Sequence, residues 1–314
     1  MKVLVTGAAG FIGAQVSRLL LKRGHEVHAL LFPNESRARI ADFEDRCTLY
    51  EGDLADVGAV ERVAARVGPE AAVHLAWYAV PGEYWTSPKN LDCVAQGIHL
   101  ARILRQSGCK RLVAAGTCAE YDWHYEELME GKTPCNPSTL YGVAKYALFL
   151  LLRKYCEQGP MRLAWVRYNF LFGPGENPGR LVSSVAQKLL AGEKVPCTEG
   201  SQERDFLHVE DAAAATVAVL ESQIQDAVNI GSGRAVSVRT VVEALARIIG
   251  GQGRPVFGAI PTKPDEPARL LPSVERLNRE VGWKPCHSLE EGLERTVAYL
   301  RGTCPRQVKQ QLPT

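Results

Sequence analysis

Short apolar, β-branched runs alternate with longer amphipathic runs through the first half of the chain. Val3 to Val5, Val27 to Leu31, Thr48 to Tyr50, Ala71 to Leu75 and Leu112 to Ala115 read as strands. Gly13 to Lys22, Val57 to Val67, Leu91 to Ser107 and Thr139 to Gln158 carry helical patterns between and after them. This alternation predicts an α/β fold built on a doubly wound parallel sheet, and short strands apolar on both faces agree with it. From about Asn169 the texture changes. Gly173, Pro174, Gly175, Pro178 and Gly179 crowd into a loop, and the helical patches Val185 to Ala191, Asp211 to Glu221, Val238 to Ile249 and Leu289 to Leu300 are separated by Pro and Gly. The expected division is a doubly wound domain over 1–168 and a smaller C-terminal region over 169–314, some of whose segments return to the first sheet.

Composition narrows what such a chain can do. A chain of 314 residues is long enough to bury about three quarters of its unfolded surface. Lys and Arg number 37 against 35 Asp and Glu, a net charge of +2, with no block of like charges. Nucleic acid and anionic membranes both demand a concentrated basic face, so neither is expected as a partner. The nine cysteines, at positions 47, 93, 109, 118, 135, 156, 197, 286 and 304, are odd in number and show no Cys-x-x-Cys spacing. Reduced thiols in a cytoplasmic protein, with neither a disulfide framework nor a metal site, are the expectation. No apolar run reaches eighteen residues, so no membrane span is expected.

Candidate chemistry begins in VLVTGAAGFIG, where Gly7, Gly10 and Gly13 follow a strand and open a helix. Gly7 permits a tight turn, Gly10 lets backbone approach a pyrophosphate, and Gly13 allows close packing of helix on strand. The helix N-terminus favours the anion, and Phe11 and Ile12 complete a Rossmann dinucleotide loop. An acid at the end of the second strand would grip the ribose hydroxyls of NAD, but Leu31 is followed there by Phe32, Pro33 and Asn34. Ser36 and Arg37 suit a 2′-phosphate while Glu35 opposes one, so NADP is expected, with NAD as the alternative. Arg37 and Arg39 equally fit solvated loop charges. Asp53, beside Leu54 in EGDLAD, either accepts from the adenine amino group or caps a helix.

Tyr141 and Lys145 lie four apart, one turn from each other on a helix face. A nearby ammonium lowers a phenol from its ordinary pKa of about 10 and makes it useful as an acid or base. With the glycine loop, TGAAGFIG and Tyr141-Gly-Val-Ala-Lys145 resemble the extended short-chain dehydrogenase/reductase superfamily, the NAD(P)-dependent nucleotide-sugar epimerases, dehydratases and reductases. The resemblance runs over nearly the whole chain. It includes a Thr or Ser about two dozen residues before the tyrosine, here Thr117. It implies that Tyr141 moves a proton at a sugar oxygen while hydride passes between the same carbon and the nicotinamide. Lys145 would lower the tyrosine pKa and hold the nicotinamide ribose, and Thr117 would bond the same sugar oxygen. His74-Leu75-Ala76 resembles the cofactor-lining end of strand four, with Trp77 where a small residue is commoner. By the same resemblance Asn169 and Arg204 would meet the substrate diphosphate, although Arg204 also fits a structural ion pair with Asp205 or another neighbour. Asn229 to Gly233 resembles a structural segment, and Leu289 to Leu300 the closing helix. A homodimer through the two long helices is implied, with Leu148, Leu151 and Leu152 as its apolar stripe.

Departures from the pattern select among reactions. The 4,6-dehydratases of the family carry an Asp-Glu pair after the Thr, where this chain has Cys118 and Ala119. Glu120 stands one position too far along and, on a strand end, would face away. The family asparagine that anchors the cofactor falls on Asp92 or Cys93. The leading expectation is reduction of a nucleotide-linked 4-keto sugar, with 4-epimerisation on tightly bound NAD as the alternative and a non-catalytic cofactor sensor as a third reading. Aromatic residues crowd the two loops expected to face the substrate, and Trp77, Tyr84 and Trp123 are the candidates for shaping sugar choice. His124 either donates to a substrate hydroxyl or is merely exposed.

Overall fold

The computed structural model describes residues 1–302, and Cys304 lies outside them. The first half runs β1 (Lys2–Thr6), α1 (Phe11–Lys22), β2 (Glu26–Leu31), β3 (Thr48–Glu51), α2 (Val57–Val67), β4 (Ala71–His74), α3 (Lys89–Gln106) and β5 (Arg111–Thr117). The chain continues through β6 (Glu127–Leu128), α4 (Leu140–Glu157), β7 (Arg162–Tyr168), β8 (Phe170–Phe172), α5 (Leu181–Leu190), β9 (Lys194–Pro196), β10 (Glu203–His208) and α6 (Val209–Glu221). It closes with β11 (Asp226–Ile230), β12 (Ala235–Ser237), α7 (Val238–Ile249), β13 (Arg254–Val256), β14 (Arg269–Pro272) and α8 (Leu289–Leu300).

Seven parallel strands form the main sheet in the order β11-β7-β5-β4-β1-β2-β3. Alternate residues of β1 show why it is buried on both faces. Val3 and Val5 join Ala14, Val16 and Leu20 of α1 and Ala212 and Val219 of α6 on one side, while Leu4 faces Leu100 and Leu104 of α3 and Leu148 and Leu152 of α4 on the other. Each such buried aliphatic side chain contributes about 1.5–3 kcal/mol. Gly97 lets α3 and α4 meet closely, because a Cβ there would come within 2.6 Å of Leu148 Cδ2. Leu148 and Leu152 are therefore core residues rather than members of a surface stripe; Leu151 alone of the three is exposed.

The later strands build a second, smaller sheet in the order β12-β10-β14-β6, with β8 beside β10. Its own core gathers Phe172, Val185, Leu189, Phe206, Val241, Leu245 and Leu293. Although they follow this sheet's first strands in the chain, α6 and β11 lie with the main sheet. Beyond the C-terminal end of β5, Cys118 and Tyr121 pack with Leu128 of β6, Leu270 of β14 and Phe170 of β8, at the end of the main sheet where open α/β sheets place ligands. No helix among the described residues is long and apolar enough to cross a membrane.

Candidate active site

The glycine turn leaves no room for side chains where it meets β4 and α1. Gly7 adopts φ 71°, and a Cβ on it would lie 2.8 Å from Ala76 N. A Cβ on Gly13 would lie 2.0 Å from Gly7 O, so this turn admits only glycine where α1 packs back on it. Gly10 caps α1 without a side-chain bond, and no acid occupies the first turn, which leaves the amide end of the helix suited to an anion. The helix begins at Phe11, two residues before the start read from the sequence, so Phe11 and Ile12 form its first turn.

Around that turn the adenosine-side candidates separate. Arg37 pairs with Glu51 at 2.6 Å, whereas Arg39 reaches the loop itself, donating to Ala9 O at 3.4 Å and Gly175 O at 3.0 Å. Glu35 folds back to the end of β2, where its carboxylate accepts from Phe32 N at 3.2 Å. Asp53 closes a local turn by accepting from Ala55 N at 2.8 Å, and Asp56 is the residue that caps α2. Leu54 packs against the α2 and α3 side of the core, and Leu75 against the α1 side. Ala76 N donates to Thr6 Oγ1 at 3.4 Å. Beneath it Thr6 Oγ1 also meets His74 Nδ1 at 2.7 Å, and burial, reinforced by the Lys145 charge, pulls His74 down to about 3. His74 is therefore a neutral wall of the pocket.

Thr117 ends β5 and Tyr141 lies in the first turn of α4, which starts because Thr139 accepts from Gly142 N at 3.1 Å. Burial raises the pKa of the Tyr141 phenol, and the Thr117 hydroxyl works against that rise. Lys145 lies one turn deeper. Its Nζ donates to Ala115 O at 2.7 Å and sits 3.7 Å from the Trp77 ring centroid, and burial brings its pKa down to about 7.

Trp77, Tyr84 and Trp85 surround Tyr141 edge-on, with ring centroids 6.4, 4.8 and 5.7 Å from its own. Trp123 stacks edge-on to Trp85 at 6.1 Å and donates to Cys118 O at 2.9 Å. His124 points outward, bonded to Asp122 at 2.6 Å and 93% exposed, so it does not meet this cluster. Cys118 is buried and its thiol is pushed up to about 12, so neither it nor Ala119 supplies an acid or base beside Thr117.

Two residues that hold this site escaped the sequence reading. Glu120 does not face away: the chain leaves β5 at Thr117 for a tight 3₁₀ turn, which swings Glu120 inward to complete exposure loss. Its carboxylate accepts from Thr117 N at 2.8 Å, Trp165 Nε1 at 2.8 Å and Arg167 Nε at 2.7 Å. Thr-Cys-Ala-Glu is a capping box, a signal present in the sequence. Asn90, fully buried, accepts from Trp77 Nε1 at 2.9 Å and donates to Tyr84 O at 2.7 Å, pinning the aromatic loop to α3.

Between β7 and β8, Asn169 donates to Ile230 O at 3.2 Å while its buried Oδ1 has no partner among the described residues. Arg204 lies on β10 against the Phe170 ring, donating to Glu203 O at 2.7 Å and to Glu266 at 2.5 Å. Its ion pair is with Glu266 and not with Asp205, which instead accepts from Ser232 N and Gly233 N.

A model of the NAD dependent epimerase/dehydratase family matches residues 3–231. The chain belongs to that family. It is 31% identical to a UDP-glucose 4-epimerase of Corynebacterium glutamicum over 308 residues, 92% of each chain. It is 28% identical to a dTDP-6-deoxy-L-talose 4-dehydrogenase (NAD(+)) of Aggregatibacter actinomycetemcomitans over 269 residues, 84% of this chain and 96% of that one. Among solved structures, the UDP-glucose 4-epimerase of Thermus thermophilus in complex with NAD superposes with a TM-score of 0.83 at 29% identity, covering 96% of this chain and 99% of the other. Membership fixes the extended short-chain dehydrogenase/reductase fold.

Proposed function

We propose that the protein is an NAD-dependent 4-epimerase of a nucleotide-linked sugar. The observation that carries this reading is the Thr117–Tyr141 hydroxyl pair beside the glycine turn, with Cys118 and Ala119 supplying no second acid or base. Such a site suits redox at one alcohol carbon and nothing that needs an elimination. The 4-epimerase relatives, aligned over more than nine tenths of the chain, support the same choice over net reduction.

The glycine turn fits the pyrophosphate by the spacing that side chains would fill. Bound there, the dinucleotide would supply a hydride acceptor and donor at its nicotinamide. NAD is proposed rather than the expected NADP, because Glu35 brings a carboxylate to the end of β2 while Arg37 is engaged by Glu51. Tyr141 would take the proton of the sugar hydroxyl as the alcohol carbon is oxidised to a ketone. Thr117 holds the same oxygen. Tyr141 would give the same proton back when the keto sugar, presenting its other face, is reduced. Arg204 of the second sheet and the Asn169 amide, through its Nδ2 donor, would anchor the nucleotide diphosphate. Trp77, Tyr84 and Trp123 would wall the sugar. The homodimer is proposed on the exposed Val143 and Leu151 of α4 and Leu91 of α3, and light scattering of a Leu151→Glu variant, expected to be monomeric, checks it.

Incubation with UDP-glucose, UDP-glucuronate and UDP-N-acetylglucosamine without added cofactor should give the C4 epimer of at least one, read by proton NMR. A second reading, 4-ketosugar reduction, is favoured by the similarity to the talose 4-dehydrogenase. Stoichiometric loss of NADH or NADPH with a nucleotide 4-keto-6-deoxyhexose, and no epimer from any sugar, would decide for it.

A further inference from the structure

Away from the redox site, three metal-ligating side chains converge where α6 and α8 begin. His208 ends β10, Glu210 lies in the first turn of α6, and His287 immediately precedes the cap of α8. One ligand atom from each lies within 4.8 Å of the others. We infer that His208, Glu210 and His287 form a site for a borderline divalent cation such as Zn²⁺, clamping the start of α8 to the end of β10.

Four observations carry this. His208 is 2% exposed, and neither of its ring nitrogens has a hydrogen-bond partner. A buried imidazole in that condition forfeits the bonds it would make in water, unless a ligand takes them. Its ring lies 4.8 Å from that of His287, centroid to centroid. Next, His287 is already oriented as a metal-bound histidine is: its Nδ1 meets Asp211 Oδ1 at 3.0 Å, which leaves Nε2 facing Glu210 at 3.7 Å. Asp211 is itself fixed, accepting from Cys286 N at 3.1 Å and His287 N at 3.0 Å. Finally, Glu210 is held by Arg295 Nη2 at 2.9 and 2.8 Å, which positions the carboxylate and leaves further lone pairs on both oxygens.

The donor set decides the class of ion. Two imidazoles and a carboxylate with water in the fourth position suit Zn²⁺, whereas Ca²⁺ and Mg²⁺ take oxygen donors. Helix N-termini repel cations, but Glu210 and Asp211 in the first turn of α6 and Glu290 and Glu291 in that of α8 offset that field. The site shares β10 with Arg204, so an ion there would stiffen the strand that carries the proposed diphosphate anchor. The metal proposal does not depend on the redox reading.

The test uses the full chain, stripped with EDTA and titrated with ZnCl₂ by calorimetry, with thermal unfolding followed in parallel. One equivalent should bind with micromolar or tighter affinity and raise Tm by several degrees. His287→Gln and Glu210→Gln, both at partly exposed positions that spare the core, should each weaken binding at least tenfold and abolish the Tm rise. Co²⁺ in place of Zn²⁺ should give the visible absorption of a tetrahedral nitrogen and oxygen site. Cys286→Ser should leave all of this unchanged. Absence of binding, binding that survives His287→Gln, or loss of binding in Cys286→Ser would each overturn the proposal.

Discussion

Lys145 sits in a conflict between charge and burial that pH can expose. Its carbonyl partner and the Trp77 face do not replace the water it has lost, and its pKa falls from 10.5 to about 7. Between those values the unfolded chain binds more protons than the folded one, so stability attributable to this residue rises with pH across that window and is constant below it. Replacing Lys145 with Met should remove that slope. The Tm difference between wild type and Lys145→Met should therefore shift in favour of wild type from pH 7 towards pH 10; a difference constant across the range would contradict the account. Tyr141→Phe, which keeps the ring and its aromatic neighbours, should lower kcat by about 10²- to 10⁴-fold with little change in Tm, measured with whichever sugar the NMR assay identifies. Thr117, Tyr141 and Lys145 were legible in the sequence because one strand end and one helix turn set their spacing. The backbone carbonyl of Ala115 that holds Lys145 was not, since only the fold brings it there.

The 3₁₀ turn after β5 shows how an element boundary decides a residue's role. Continuing the strand through Glu120 would put it on the outer face; ending it at Thr117 turns the same carboxylate into a buried brace of β5. Its Arg167 partner comes from β7, the neighbour of β5, so the pair ties the site to the centre of the sheet. Removing one partner of a buried ion pair costs about 3–5 kcal/mol because the other charge remains. Glu120→Ala should therefore lower stability by about that much in urea unfolding, and Glu120→Gln by less, since an amide oxygen still accepts from Thr117 N. Both should reduce kcat more than they raise KM. The α1 boundary shifted for a similar reason: with no polar side chain to cap it, the helix starts on Gly10 backbone and is invisible to a search for capping residues.

At the scale of the whole molecule, the main sheet was readable because its strands alternate with helices and lie apolar on both faces. The second sheet was not. Its strands are two to six residues long and pair across large separations, as β6 with β14 and β8 with β10 do, so no local pattern announces them. The His208, Glu210 and His287 cluster was hidden likewise, against an expectation of no metal. At the proposed substrate site Thr117 stands on the first sheet and Arg204 on the second, so a nucleotide sugar bound as proposed would bridge them. Such a ligand at 100 times its Kd stabilises the fold by about 2.7 kcal/mol. UDP alone should therefore raise Tm by several degrees. Arg204→Ala should abolish most of that rise and increase KM by roughly 10- to 100-fold, the worth of a hydrogen bond to a charged group. Glu266→Gln, which frees Arg204 from its ion pair, should act in the opposite direction and lower KM. If Arg204→Ala binds UDP as wild type does, the guanidinium belongs to the Glu266 loop alone and the diphosphate lies elsewhere.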